Sequence, residues 1–218
     1  MITSFKIKNI LLASSLVFIF TACSSKKEAA EYNKPALYWY NKMVTQITKG
    51  DLDEADDTYT SLESEHRNSP LIPTSILILV NGHIDAEEYA LANFYLDEYI
   101  KRFALSKNID YARFLKIKAN FLGFRYQFRD QALIEKTIEE IEEFKFKYKS
   151  SPYMPLVDTM NARLHMAKAL LDQEIADLYK RKDKEKAAAI YNEKVKESWI
   201  NPDEIIEPKV PFYRSIFE

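Results

Sequence analysis

Pairs of helix-forming stretches, each pair joined by a short break and the pairs returning at intervals of about 35 to 42 residues, restrict this sequence to one kind of architecture. A single pair cannot bury its apolar face alone, so it must stack on the next. The first pair runs from Pro35 to about Lys49 and from about Asp53 to His66, broken at Gly50-Asp51 and closed by Asn68-Ser69-Pro70. The second runs from Pro73 to about Ile84 and from Glu87 to Phe103, and the third from Asn108 to about Tyr126 and from Gln131 to Tyr148. A fourth opens at Ser151-Pro152 with a long helix from about Pro155 to Leu171, which either stops there or continues into the next segment. A last pair, Glu174 to Arg181 and Lys184 to Ser198, hinges near Lys182-Asp183. Strand signals are nearly absent, and the chain has only three glycines (Gly50, Gly82, Gly123), a loop-poor composition. The expected fold is all-α, an α-solenoid of about five degenerate helix hairpins.

The details resemble tetratricopeptide repeats. Trp39 stands where the first helix of such a repeat favours an aromatic residue, and Gly50-Asp-Leu-Asp-Glu-Ala55, followed by Tyr59 and Leu62, matches the turn and second helix. Ala92, Leu96 and Tyr99 take the same three places in the second unit, and Ile134, Ile138 and Ile141 in the third, which carries an insertion between its helices. Tyr38, Trp39 and Tyr40 are consecutive on a helix and point about 100° apart, so they cannot all enter one core. Repeat geometry puts Trp39 inside and places Tyr40, Val44, Asn81 and Lys118 on the concave side, a groove suited to an extended or helical apolar peptide.

The N-terminus has a different character. Met1 to Lys8 carries two lysines and no acid, Ile10 to Phe20 is almost wholly apolar, and Phe20-Thr21-Ala22-Cys23 resembles a lipobox. An apolar run of about eleven residues is shorter than the roughly twenty that a membrane-spanning helix needs. Residues 1–22 therefore read as a cleaved lipoprotein signal peptide, with the mature chain starting at an acylated Cys23, the sole cysteine. Ser24-Ser25 follow in place of the Asp that retains such proteins at the inner membrane. The expected address is the periplasmic face of the outer membrane, held by a lipid anchor. Residues 23–33 form the tether, 34–200 the superhelical domain and 201–218 a tail in which prolines interrupt helix formation.

Little in the chain points to chemistry. Its 31 basic residues are interleaved with 33 acidic ones, which argues against a nucleic-acid binder. His66, His83 and His165 fall in three different units without Cys, Asp or Glu at metal-ligand spacing in their helices, so neither a metal nor a cofactor is expected. Glu139, Glu140, Glu142 and Glu143 read as a solvated helix face in preference to paired catalytic carboxylates, and the Lys180 to Lys186 cluster as a soluble turn. The chain is expected to have no enzymatic activity.

Lipobox, short tether and degenerate repeats, in that order, resemble the BamD family of outer-membrane assembly lipoproteins. Asn108-Ile109-Asp110-Tyr111 with Asn120, Ser150-Ser151-Pro152-Tyr153, and Ile175, Ala176, Leu178 and Tyr179 on the long helix carry the resemblance, which spans Cys23 to about Trp199. It implies a non-enzymatic subunit of the β-barrel assembly (BAM) machinery that binds unfolded outer-membrane precursors in its N-terminal repeats. The C-terminal repeats would dock the barrel subunit, BamA, with accessory lipoproteins as further partners. On this reading the Glu174 to Lys196 hairpin is the docking surface, with Tyr179 on it and Lys182 at a matched basic position. A second basic position is occupied by Tyr191. Two other expectations compete: a pilotin-like lipoprotein escorting secretin subunits, and a lipoprotein acting on the cell wall. The apolar tail, with Phe212, Tyr213, Ile216 and Phe217, either caps the last repeat or binds a partner, capping being preferred.

Overall fold

The computed structural model describes residues 31–123 and 131–205. It divides into the units Met1–Lys34 and Pro35–Glu218; only residues 31–34 of the first are described. The expected signal peptide, Cys23 and most of the tether lie outside the described residues. So do the insertion at 124–130 and the tail beyond Ile205.

Among the described residues the second unit is all-helical. Its helices are α1 (Ala36–Lys49), α2 (Leu52–Glu65), α3 (Leu71–Asp85), α4 (Tyr89–Arg102), α5 (Ile109–Gly123), α6 (Gln131–Lys147), α7 (Met154–Arg181) and α8 (Glu185–Glu197), followed by a short 3-10 turn at Pro202–Glu204. Each helix packs on the next in sequence, and α1 touches α3 as α5 touches α7, the stacking of a solenoid. Proline at the third position of α3 is tolerated because the first turn has no intrahelical partner for its missing N–H.

Of the two courses left open at Leu171, the unbroken one is found. Nothing in Leu171-Leu-Asp-Gln-Glu174 stops a helix, and α7 runs unbroken for 28 residues, so the described residues make four hairpins where about five were expected. The supposed last pair is the C-terminal half of α7 with α8.

The repeats are visible in the turns as well as in the helices. Between hairpins the chain uses one device three times: Ser69, Ser106 and Ser151 each turn the backbone with an N–H donated three residues back, to His66, Phe103 and Tyr148. Each serine hydroxyl then accepts the N–H two residues on, from Leu71, Asn108 and Tyr153 at 3.2, 3.2 and 3.3 Å. Within hairpins the described turns at Gly50, Glu87 and Asp183 have φ of 83°, 62° and 55°. In all three the next residue's N–H returns to a carbonyl five residues back, Asp51 to Gln46, Glu88 to His83 and Lys184 to Tyr179, which closes the helix end in a left-handed cap.

The core follows the repeat positions. Ala55, Tyr59, Leu62, Ala92, Leu96, Tyr99, Ile134 and Ile141 are all buried, and Ile138 packs against them. Trp39 is buried with its indole N–H donated to Glu65 at 2.8 Å, while Tyr38 is exposed and Tyr40 half-buried. Full burial of such a side chain contributes about 1.5–3 kcal/mol, so these rows hold successive hairpins together.

Candidate interaction surface

The two segments singled out as resembling the BamD family meet in space. Asp110, at the start of α5, accepts the Ser151 hydroxyl at 2.8 Å from the turn that opens α7. Beside that bond the Tyr153 ring stacks on Phe114, 4.7 Å between centroids, and leans on Tyr111 at 5.2 Å. The Tyr111 hydroxyl lies 3.4 Å from Asn81 Oδ1 on α3, and the Asn81 amide donates to the Leu77 carbonyl at 2.6 Å. A polar and aromatic seam therefore crosses the inner helices of the second, third and fourth hairpins.

Asn120 performs the corresponding task in the interior. It is buried, accepts from the Asn93 amide on α4 and donates to Glu140 on α6, both at 2.8 Å. Glu140 thus departs from the expected solvated face. Turned toward α5, it also lies 3.9 Å from Lys116, whereas Glu139, Glu142 and Glu143 are exposed as expected.

The four expected groove residues have unequal roles. Tyr40 and Val44 are half-buried against the core, Asn81 is engaged by Tyr111, and Lys118 is half-buried on α5. The expected docking residues are closer together: the Tyr179 and Tyr191 rings sit 5.8 Å apart across α7 and α8, and Lys194 lies over Tyr191 at 4.7 Å. Lys182 is exposed at the tip of that hairpin, where Lys180 pairs with Asp177 at 3.0 Å. Leu178 and Ile190 add exposed apolar surface near it. Tyr191, standing where a basic residue was expected, makes an aromatic contact within the hairpin.

Sequence reasoning missed one buried cluster. His83 is fully buried, with Nδ1 2.7 Å from Glu88 and Nε2 3.0 Å from Asp56, and it stacks on Tyr95 at 5.6 Å. Tyr95 donates its hydroxyl to the same Asp56 oxygen at 2.7 Å; burial, then that hydrogen bond, pushes its phenol well above the usual range. Nearby, Tyr59 donates to Glu98 at 3.2 Å, and Arg102 binds both Glu63 and Glu98. Five residues separate His83 from Glu88, a spacing that brings them together only because the backbone reverses at Glu87. The cluster ties α2, α3 and α4 together. Among the described residues no group of three or more His, Cys, Asp or Glu side chains is placed to hold a metal ion.

Comparison with known proteins places these features. The YfiO family model, described as outer membrane lipoprotein, matches residues 32–203. A Helicobacter pylori protein named outer membrane protein assembly factor BamD is 37% identical over 210 residues, covering 96% of each chain. The chain belongs to the BamD (YfiO) family of outer membrane lipoproteins. A Pasteurella multocida protein of the same name is 24% identical over 195 residues, 84% of this chain and 74% of its own. One from Caulobacter vibrioides is 26% identical over 149 residues, 65% of this chain and 49% of its own. The family match includes all eight helices and the seam from Asn81 to Tyr153. No described helix is long and apolar enough to cross a membrane.

Proposed function

We propose that this BamD-family chain is a non-enzymatic scaffold subunit of the outer-membrane β-barrel assembly machinery, anchored through an acylated Cys23 with its helical domain in the periplasm. The observation that carries the proposal is the 37% identity to a named assembly factor across 96% of both chains. That extent covers the turns and seams that fix hairpin geometry, so the relative's assembly role is transferred with the whole fold in view. In this reading the inner face of the first three hairpins, with Tyr40, Val44, Asn81 and Lys118, receives unfolded precursor segments. The α7–α8 hairpin, with Tyr179, Lys182 and Tyr191, meets the barrel-forming subunit. Exposed Ile190 supplies apolar area there and the tip lysines supply charge, an arrangement that suits a partner with an acidic rim.

Affinity isolation of the full-length protein from detergent-solubilised outer membranes tests this assignment. The expected result is co-isolation of a large β-barrel protein with periplasmic domains. Isolation of a secretin in its place would assign the chain to pilus or secretion-system assembly. The anchor has its own test: Cys23→Ser should block cleavage by lipoprotein signal peptidase and acylation, seen as a higher precursor mass.

A further inference from the structure

The second half of α7 extends an apolar stripe beyond the helices that bury its first half. Val157, Met160 and Leu164 are buried among the residues of the third hairpin, and Leu171, Ile175 and Leu178 continue the same row at helical spacing. Glu135, four residues into α6, lies 3.9 Å from Lys168, so α7 beyond Asp172 has run past the start of α6. From there the row becomes an open groove: Leu171 is its floor, Ile175 is half-buried, Leu178 is 39% exposed, and Glu174, Asp177 and Arg181 complete its lining.

The chain leaving α8 heads toward this groove. Trp199 rests on His165, 5.2 Å between rings, and four residues later Asp203 accepts from Gln173 at 3.5 Å, with Pro202 buried between them in sequence. From Trp199 to Asp203 the polypeptide has therefore advanced about two turns along α7 toward its C-terminal end. Leu178 lies only about 7.5 Å further along the helix axis. The thirteen residues after Ile205 span up to about 45 Å when extended, several times that distance.

We propose that this C-terminal segment, residues 206–218, packs into the α7 groove and caps the solenoid. Its composition fits the site. Val210, Phe212, Tyr213, Ile216 and Phe217 supply apolar side chains for Leu171, Ile175 and Leu178, and Lys209 and Arg214 match Glu174 and Asp177, while Glu207 and Glu218 match Arg181. Proline at 208 and 211 has no N–H to donate and a fixed φ, so this sequence suits an extended seating along a groove at a lower ordering entropy than a proline-free one. The α8 side of the hairpin, with Ile190, stays open.

Disulfide trapping in the purified, acylated full-length protein tests the cap without any assembly partner, so its result is independent of the proposed function. Leu178→Cys combined with Phe212→Cys should form an intramolecular bond on mild oxidation, located by peptide mass mapping so that any bond to an unacylated Cys23 is counted apart. A control pair, Phe94→Cys with Phe212→Cys, should not. Deletion of residues 206–218 should in addition remove hydrogen-exchange protection from 171–181 while leaving the first two hairpins unchanged. Absence of the Leu178–Phe212 bond in protein with an unaltered helical circular-dichroism spectrum would overturn the proposal. So would a bond formed only between two copies of the chain.

Discussion

Ser151 donates its hydroxyl to Asp110 across 41 residues of sequence, 2.8 Å from Oγ to Oδ2, and this bond pins the opening of the fourth hairpin to the opening of the third. Asp110 also accepts the N–H of Tyr111 at 2.8 Å, so one carboxylate orients both the start of α5 and the ring that reaches Asn81. Ser151→Ala should lower stability by about 1 kcal/mol, and Asp110→Ala by somewhat more because two donors lose their acceptor. Urea denaturation of both single variants and the double variant should give a coupling energy of at least about 0.5 kcal/mol.

The turns at Gly50 and Asp183 share one backbone conformation but not one residue type. At φ 83°, Gly50→Ala has space for its methyl group yet adopts a disfavoured backbone, which should cost about 1 kcal/mol. Asp183→Gly relieves the same cost at φ 55°, less the entropy that glycine adds to the unfolded chain, and should be neutral to stabilising by up to about 1 kcal/mol. A lower thermal midpoint for Gly50→Ala and an equal or higher one for Asp183→Gly are the expected outcome.

Removing the His83 ring takes away its polar contacts with Asp56 and Glu88 and opens a cavity among α2, α3 and α4. His83→Ala should therefore cost about 2–4 kcal/mol, well above a surface substitution such as Lys49→Ala. Chemical denaturation measures this directly. A loss below about 1 kcal/mol would mean that the cluster holds the first two hairpins together only weakly.

His165 gives the fold a pH dependence of known sign. Burial holds its imidazole below the ordinary range; Glu142 opposes this, and Lys168 and Lys145 reinforce it. As pH falls through about 6.5 the unfolded chain takes up the proton first, so it binds more protons than the native state and stability declines. The decline stops once the folded group is also protonated. His165→Asn should flatten that part of the curve when urea midpoints at about pH 7.5 and pH 5.5 are compared.

Much of this structure was legible in the residues. The helix pairs, the break at Gly50-Asp51, the inward Trp39 and the repeated core positions all follow from periodicity and local chain chemistry, which act over a few residues. The cross-hairpin contacts were not. Asp110 and Ser151 were noticed for their resemblance to a family, yet that they bond to each other depends on two turns built alike around Ser106 and Ser151. His83 read as a histidine without partners because Asp56 is 27 residues away and Glu88 lies beyond a backbone reversal. Glu140 read as one carboxylate of a solvated face because its acceptor role is set by Asn120 on another helix. Helix continuity through Leu171 to Glu174 stayed open in the sequence because helix propensity there is high while the degenerate repeat spacing favours a break.

The central claim, that the α7–α8 hairpin joins this chain to a barrel-forming assembly subunit, is tested most directly by site-specific photocrosslinking in intact cells. A photoreactive residue at Ile190, exposed on α8, should capture a β-barrel outer-membrane protein, and one at Thr60, exposed on α2, should not. Efficient incorporation at Ile190 with no barrel protein captured, in cells where the lipoprotein is correctly acylated and folded, would contradict the account.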